Sequence, residues 1–210
     1  MKIMGFLGSP RVNGKCSQLL QSALDGAVST GAEIKRYDLI NCNIQYCRGC
    51  GTCYEKNPEL TIGKCQIDDD VASILEEYLM ADGYIFATPA YELNITALMK
   101  TFLERKIAFT FKTDPLLVPE ARHGIVANFK KKASFIVTAN AHDEFEEVMG
   151  DPCYEAFEAT LMLEEVGTHG KLFVGSMAAI TDKEFSEKME QAYQLGINLV
   201  AAIKTARATG

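Results

Sequence analysis

Four of the chain's seven cysteines, Cys47, Cys50, Cys53 and Cys65, stand in the spacing C-x2-C-x2-C-x11-C. Two-residue gaps let three thiols gather around one small volume, and Gly49 and Gly51 permit the tight backbone this needs. Thiolates select soft metals, zinc or iron–sulfur, over magnesium or calcium. Four chemistries fit: an iron–sulfur cluster, a structural zinc with four cysteine ligands, a reversible disulfide, and thiols that bind nothing. A zinc ribbon usually shows two well-separated C-x2-C pairs, which this triplet is not. Cys42 reads as a candidate substitute ligand, Cys16 as a small inert residue and Cys153 as core.

A second constellation is Gly8-Ser9-Pro10-Arg11-Val12-Asn13-Gly14-Lys15-Cys16-Ser17. It joins a short apolar run to an amphipathic stripe. A helix N-terminus offers free N–H groups and the positive end of the dipole, which together bind phosphate. Ser9 and Ser17 add hydroxyls, Arg11 a charged fork, and Asn13 and Gly14 the turn. The triphosphate pattern G-x-x-x-x-G-K-[ST] fails by counting: from Gly8 the second glycine falls on Asn13, and Lys15 is followed by Cys16 rather than Ser or Thr. The dinucleotide fingerprint G-x-G-x-x-G is absent. A monophosphate, such as that of FMN, fits better.

These residues must be positioned by alternating elements. Residues 2–8, 32–39, 83–88, 133–139 and 171–176 read as five short strands, the third ended by Pro89. Leu20, Ala23, Leu24, Ala27 and Val28 form the stripe of a first helix, with Gly31 its stop. Asp68-Asp69-Asp70 puts acid at the start of a second helix. A third runs from Ile95 to about Phe109, a fourth ends at Leu163, and a fifth starts near Phe185. Lys100 and Arg105 read as exposed helix charges. Residues 112–132 read as irregular, and as available for subunit contacts. Strand–helix alternation predicts an α/β three-layer sandwich whose five-stranded parallel sheet has helices on both faces. Five strands favour the flavodoxin-like order 2-1-3-4-5 over the six-strand dinucleotide order. Residues 1–210 are expected to be one domain, with a cysteine-rich loop at 42–67. That loop leaves the second strand beside the first, so the thiols and the phosphate loop are expected at one rim.

The 210 residues are 48% hydrophobic and 23% charged, ordinary globular values. A net charge of −7 argues against nucleic acid as partner. The first apolar run is too short for a signal-peptide core, and no stretch reaches membrane-spanning length. The expectation is a cytoplasmic protein whose thiols stay reduced.

The loop G-S-x-R-x-x-G-x-x-S after strand one resembles the NAD(P)H-dependent FMN reductase and iron-sulfur flavoprotein superfamily. Thr88-Pro89-Ala90-Tyr91, followed by Leu98-Met99-Lys100-Thr101-Phe102-Leu103-Glu104-Arg105, is similar to that superfamily's second signature. The resemblance implies a flavodoxin-like FMN domain in which Ser9, Arg11, Asn13 and Ser17 bind the phosphate. Pro89, Ala90 and Tyr91 contact the ring, and Thr138-Ala139-Asn140 forms a third loop at the same rim. His142, following it, could approach the flavin; His123 and His169 read as structural. In the iron-sulfur flavoproteins a compact cysteine motif in this place, of the ferredoxin-type C-x2-C-x2-C kind, holds a [4Fe–4S] cluster. The last spacing there is shorter than the eleven residues before Cys65. The resemblance also implies a homodimer or homotetramer that exchanges electrons with NAD(P)H or a redox protein and with a small-molecule acceptor. No residue need act as catalytic acid or nucleophile. The alternatives are an NAD(P)H-dependent FMN or quinone reductase without a cluster, and a flavin- or metal-binding redox sensor without turnover.

Overall fold

The computed structural model describes residues 1–55, 57, 60–111, 120–121 and 131–208. Five parallel strands, β1 (Lys2–Leu7), β2 (Glu33–Asp38), β3 (Gly83–Tyr91), β4 (Lys132–Thr138) and β5 (Gly167–Val174), lie in the order β2-β1-β3-β4-β5. Among the described residues five helices of nine residues or more accompany them, α1 (Lys15–Ser29), α2 (Val71–Met80), α3 (Ala97–Arg105), α4 (Asp151–Met162) and α5 (Asp182–Ala208), with a single helical turn, Glu146–Met149, ahead of α4. This is the flavodoxin-like arrangement, with the expected strand order.

Alternation along the strands sorts the core into two faces. Met4, Phe6, Tyr84, Phe86, Phe135 and Val137 belong to the cluster with α2, α3 and α4. Ile3, Leu7, Ile85, Ala87 and Ile136 belong to the cluster with α1 and α5. The first face is aromatic: Phe6 stacks on Phe102 at 4.8 Å and Phe135 on Phe157 at 4.9 Å between ring centres. The second is aliphatic and closer, with Gly26 of α1 against the Tyr193 backbone of α5 and Gly196 of α5 against the Ala23 backbone of α1. Strand β2 is only partly buried, as its position at the sheet edge requires.

The boundaries of β3, β5 and α5 differ from those read in the sequence, and α3 ends at Arg105, with a tighter turn over Lys106–Phe109. Strand β3 does not stop before Pro89 but continues to Tyr91, where it changes partner. Through Pro89 it pairs with β4, and then Ala90 and Tyr91 pair antiparallel with Ile95 and Asn94. The missing N–H of proline breaks one ladder bond without ending the strand. Strand β5 begins at Gly167 and ends at Val174, because pairing with Lys132 and Ala133 extends it backwards. Helix α5 starts three residues before its apolar stripe, since Thr181 and Glu184 form a reciprocal capping box. The Thr181 hydroxyl accepts from Glu184 N at 3.3 Å, and Glu184 Oε2 accepts from Thr181 N at 2.9 Å. The irregular stretch 112–132 lies outside the described residues except for Glu120, Ala121, Lys131 and Lys132, and His123 lies outside them as well.

The hairpin after Pro89 turns on Glu92 and Leu93, whose φ values of 48° and 61° are left-handed for side chains that disfavour that region. A two-residue hairpin turn of this kind prefers Asn-Gly. The double substitution Glu92→Asn with Leu93→Gly is expected to raise stability by about 1 kcal/mol. A urea-midpoint comparison checks this, and an unchanged or lower midpoint would contradict the strain.

Candidate functional site

The carboxyl ends of β1, β3, β4 and β5 meet in a cleft of about 660 Å³, within the range of small-ligand sites. The chain leaves β1 through Gly8, whose N–H donates to Ala87 O at 2.8 Å. Thr96, the side-chain cap of α3, donates its hydroxyl to Gly8 O at 2.6 Å. The loop is then wound tightly: Arg11 N donates to the buried Ser9 hydroxyl at 3.2 Å, and Gly14 N to Arg11 O at 3.0 Å. Gly14 is the N-cap of α1, so the first N–H groups of that helix, which have no intrahelical acceptor, open onto the cleft beside Lys15 and Cys16.

The opposite wall is Pro89, Ala90 and Tyr91, and the third is Thr138, Ala139, Asn140 and Ala141. The cleft therefore brings together Ser9, Arg11, Asn13, Gly14, Pro89, Ala90, Tyr91 and Asn140. Ser17 stands behind it. Its hydroxyl donates to Val12 O and accepts from Arg36 Nη2, so it braces the loop from the far side. His142 is not in the lining either; its Nδ1 shares a hydrogen with Ser176 Oγ across 2.9 Å.

A fourth wall escaped the sequence reading: Met177 and Ala178 after β5, with Met149 and Lys15. The β5 loop is stitched to the β4 loop by Met177 N to Ala139 O at 3.1 Å, and Lys15 Nζ donates to Met177 O at 3.1 Å. The rule that ligands bind at the carboxyl ends of strands applies to β5 as well, and was the available signal. Cys16 faces the cleft, but burial pushes its thiol up to about 12 against the hydrogen bond of Thr138 and the charges of Arg36 and Arg11. Burial thus holds it as the thiol, despite its place near a helix start. Cys153 is buried and likewise pushed up to about 12 by burial.

The cysteine loop leaves β2 through a short helical turn, Leu39–Asn41, where the Cys42 thiol donates to Asp38 O at 3.6 Å. Cys47 and Cys50 are exposed, Cys65 is half-buried and Cys53 is buried against the aromatic face. Gly49 and Gly51 take left-handed φ values of 63° and 79°, which lets the chain reverse between successive thiols. Burial, and then the charges of Cys65, Cys47 and Cys50, push the Cys53 thiol up. The four thiols thus share one electrostatic neighbourhood. Hydrogen bonds from the Thr52 N–H and hydroxyl pull Cys50 down. Among the described residues, no three His, Cys, Asp or Glu side chains converge tightly enough to grip a single metal ion.

Arg105 corrects an expectation. It is 3% exposed, whereas Lys100 is exposed as expected. The Arg105 guanidinium meets Asp69 at 2.6 Å and donates to Gln45 O at 2.9 Å and to Cys65 Sγ at 3.4 Å. Asp69 is therefore more than a macrodipole acid. Burial works to raise its carboxyl, but Arg105 and the N–H groups of Gln45 and Val71 outweigh this and hold it below the ordinary range. Helix α3 runs between the two regions, with Thr96 bonded to Gly8 at the exit of β1 and Arg105 bonded to Cys65. Its nine residues span about 13 Å. A second hollow, of about 510 Å³, lies beside Cys47 and Gly49, floored by the buried ion pair of Lys106 and Glu164. It shares no described lining residue with the first.

The model of the family described as NADPH-dependent FMN reductase matches residues 1–143. The chain is 38% identical over 109 residues to an iron-sulfur flavoprotein of Archaeoglobus fulgidus, covering 52% of this chain and 47% of the relative. It is 35% identical over 107 residues to an iron-sulfur flavoprotein of Methanosarcina thermophila, covering 51% and 53%. The chain thus spans about half the length of the curated relatives it matches. Among solved structures, a flavone reductase superposes with a TM-score of 0.66 at 23% identity, over 97% of this chain and 63% of that one. The NAD(P)H:quinone oxidoreductase of Methanothermobacter marburgensis does so with a TM-score of 0.71 at 16% identity, over 95% and 98%. At those identities the likeness speaks for the fold. Among the described residues no helix is long and apolar enough to cross a membrane.

Proposed function

The chain belongs to the NADPH-dependent FMN reductase family, and from that premise we propose that it is an FMN-dependent oxidoreductase of the iron-sulfur flavoprotein type. The observation that carries the proposal is the pairing, through α3, of an FMN-sized cleft with a loop of four neighbouring thiols. The relatives that bear the name iron-sulfur flavoprotein support it.

The cleft fits FMN on its own terms. One end offers the free N–H groups of α1, the Ser9 hydroxyl and the Arg11 guanidinium, a donor set for a phosphate dianion. The other end is the half-apolar wall of Pro89, Ala90 and Tyr91, suited to a flat ring. Tyr91 is 47% exposed, so that wall remains open to a reaction partner. When bound, FMN supplies exchange of both electron pairs and single electrons. Ser17 and Arg36 act from behind, holding the loop so that its N–H groups are already aimed. The buried Cys16 thiol stays protonated and adds no charge against the phosphate.

The loop's four thiols are a soft donor set that fits a [4Fe–4S] cluster, which Cys47, Cys50, Cys53 and Cys65 would hold. Such a cluster supplies single-electron transfer. Cys53, buried against the aromatic face, would hold it from the core side, and Cys47 and Cys50 would hold it at the surface, where a redox protein can approach. NAD(P)H or that protein is the proposed donor, with a small-molecule acceptor.

The test is the absorption spectrum and iron content of anaerobically purified protein. Flavin bands with a broad shoulder in the blue that bleaches with dithionite, and about four irons per chain, are expected. Flavin without iron would leave the reductase reading alone. Protein unable to bind added FMN would overturn both. Turnover of NAD(P)H separates an enzyme from a sensor. Arg11→Met is expected to weaken FMN binding by about 1.5 kcal/mol, roughly tenfold, while riboflavin, which lacks the phosphate, binds as before. Flavin-fluorescence titrations measure both, and equal losses would place Arg11 away from the phosphate.

A further inference from the structure

Eleven residues separate Cys53 from Cys65, so the three-cysteine turn cannot by itself place the fourth thiol. The fold supplies the missing constraint from α3. Arg105 Nη1 donates to Gln45 O at 2.9 Å and to Asp69 Oδ2 at 2.6 Å. Nη2 donates to Asp69 Oδ1 at 3.2 Å and to Cys65 Sγ at 3.4 Å. Asp69 in turn accepts from Gln45 N at 2.9 Å and Val71 N at 3.1 Å. Gln45 is therefore held by both backbone groups on a single ion pair whose side chains are 2% and 0% exposed. Gln45 and Asp69 flank the segment that contains all four clustered cysteines.

We propose that Arg105 is the positioning residue of the cysteine loop: with Asp69 it closes the neck between residues 45 and 69 and turns Cys65 towards the other three thiols as fourth ligand. The proposal rests on the reading that those thiols hold an iron–sulfur cluster. Two physical effects follow. Closing the neck removes much of the entropy that a long loop would lose on binding. An N–H donor and a positive charge at a cluster sulfur favour the more negative, reduced state, so Arg105 raises the reduction potential. A lysine cannot replace it, because one ammonium cannot reach Gln45, both Asp69 oxygens and Cys65 as the planar fork does.

The experiment compares the full chain with Arg105→Lys and with Asp69→Asn, which keeps an acceptor oxygen but loses the charge. Circular dichroism and FMN binding confirm that each variant is folded; if one fails, the other carries the test. Two readouts follow: the midpoint potential of the iron signal, by paramagnetic resonance during a redox titration, and alkylation of Cys65 relative to Cys50 by iodoacetamide in protein stripped of metal. In Arg105→Lys the potential is expected to fall. The Cys65 to Cys50 ratio is expected to rise about tenfold, the equivalent of about 1.4 kcal/mol of lost ordering. An unchanged ratio overturns the proposal, as does an unchanged potential in an iron-loaded variant. Should the parent chain bind no iron under anaerobic reconstitution, the iron–sulfur reading fails, and the alkylation ratio still decides whether Arg105 orders Cys65.

Discussion

Gly196→Leu is expected to destabilise the protein by at least about 4 kcal/mol, the range kept for changes the core cannot absorb. A Cβ at Gly196 would strike the Ala23 carbonyl oxygen, and one at Gly26 the Tyr193 carbonyl oxygen. The two helix backbones are in contact there, so what must give way is α1 or α5 as a body rather than a side chain. The effect reaches the cleft, because α1 begins at Gly14 and carries the proposed phosphate donors at its N-terminus. FMN affinity should therefore fall together with the urea midpoint in Gly196→Leu, whereas Arg11→Met should lower affinity alone. A variant with the parent midpoint would show that the helices do not pack as described.

Lys106→Met is expected to cost about 3 kcal/mol, because it leaves Glu164 buried without its cation. Lys106 Nζ lies 2.9 Å from Glu164 Oε1, with the side chains 2% and 3% exposed. The ammonium also sits over the Tyr78 ring, 4.9 Å from its centre, and the Tyr78 hydroxyl donates to Glu164 Oε2 at 2.7 Å. Burial pulls the Lys106 ammonium below its ordinary range against the raising effect of Glu164, so the pair is held by its geometry rather than by solvent. Removing one partner wastes the other, whereas Lys106→Met with Glu164→Gln removes both charges and keeps an acceptor for Tyr78. That double variant should recover most of the loss. Equal urea midpoints for the single and double variants would show that the ion pair contributes nothing specific.

Arg105 and Lys106 also show where reading the sequence stops. Arg105 reads as an exposed charge on a helix that runs to about Phe109, and nothing in the sequence singles out Lys106. Both cations are buried, because Asp69 arrives from the start of α2 and Glu164 from beyond α4. Periodicity reports what a helix presents, but not which distant charge will meet it. Pro89 is a similar case: its missing N–H was legible, and the new partner at Asn94–Ile95 that continues the strand was not. Ser17 was legible as a polar residue at a helix start, yet the orientation of its hydroxyl depends on Arg36 from β2.

What the sequence determined by itself was local chemistry and its order along the chain. Five apolar runs alternating with helices set the sheet class, since strands that bury both faces must be covered on both. The Gly8–Ser17 loop after the first run and the thiol triplet with its two glycines were readable because their function lies in short spacings. The tertiary structure decided what depends on long-range meetings. It assembled one cleft from four strand ends, including the unforeseen Met177 loop. It set Cys65 against the Arg105 end of α3, whose Thr96 end bonds the β1 exit. Cys65, isolated by eleven residues in the chain, meets a guanidinium forty positions away. Side-chain burial and charge pairing depend on neighbours in space, and only the closed sheet with its packed helices supplies them.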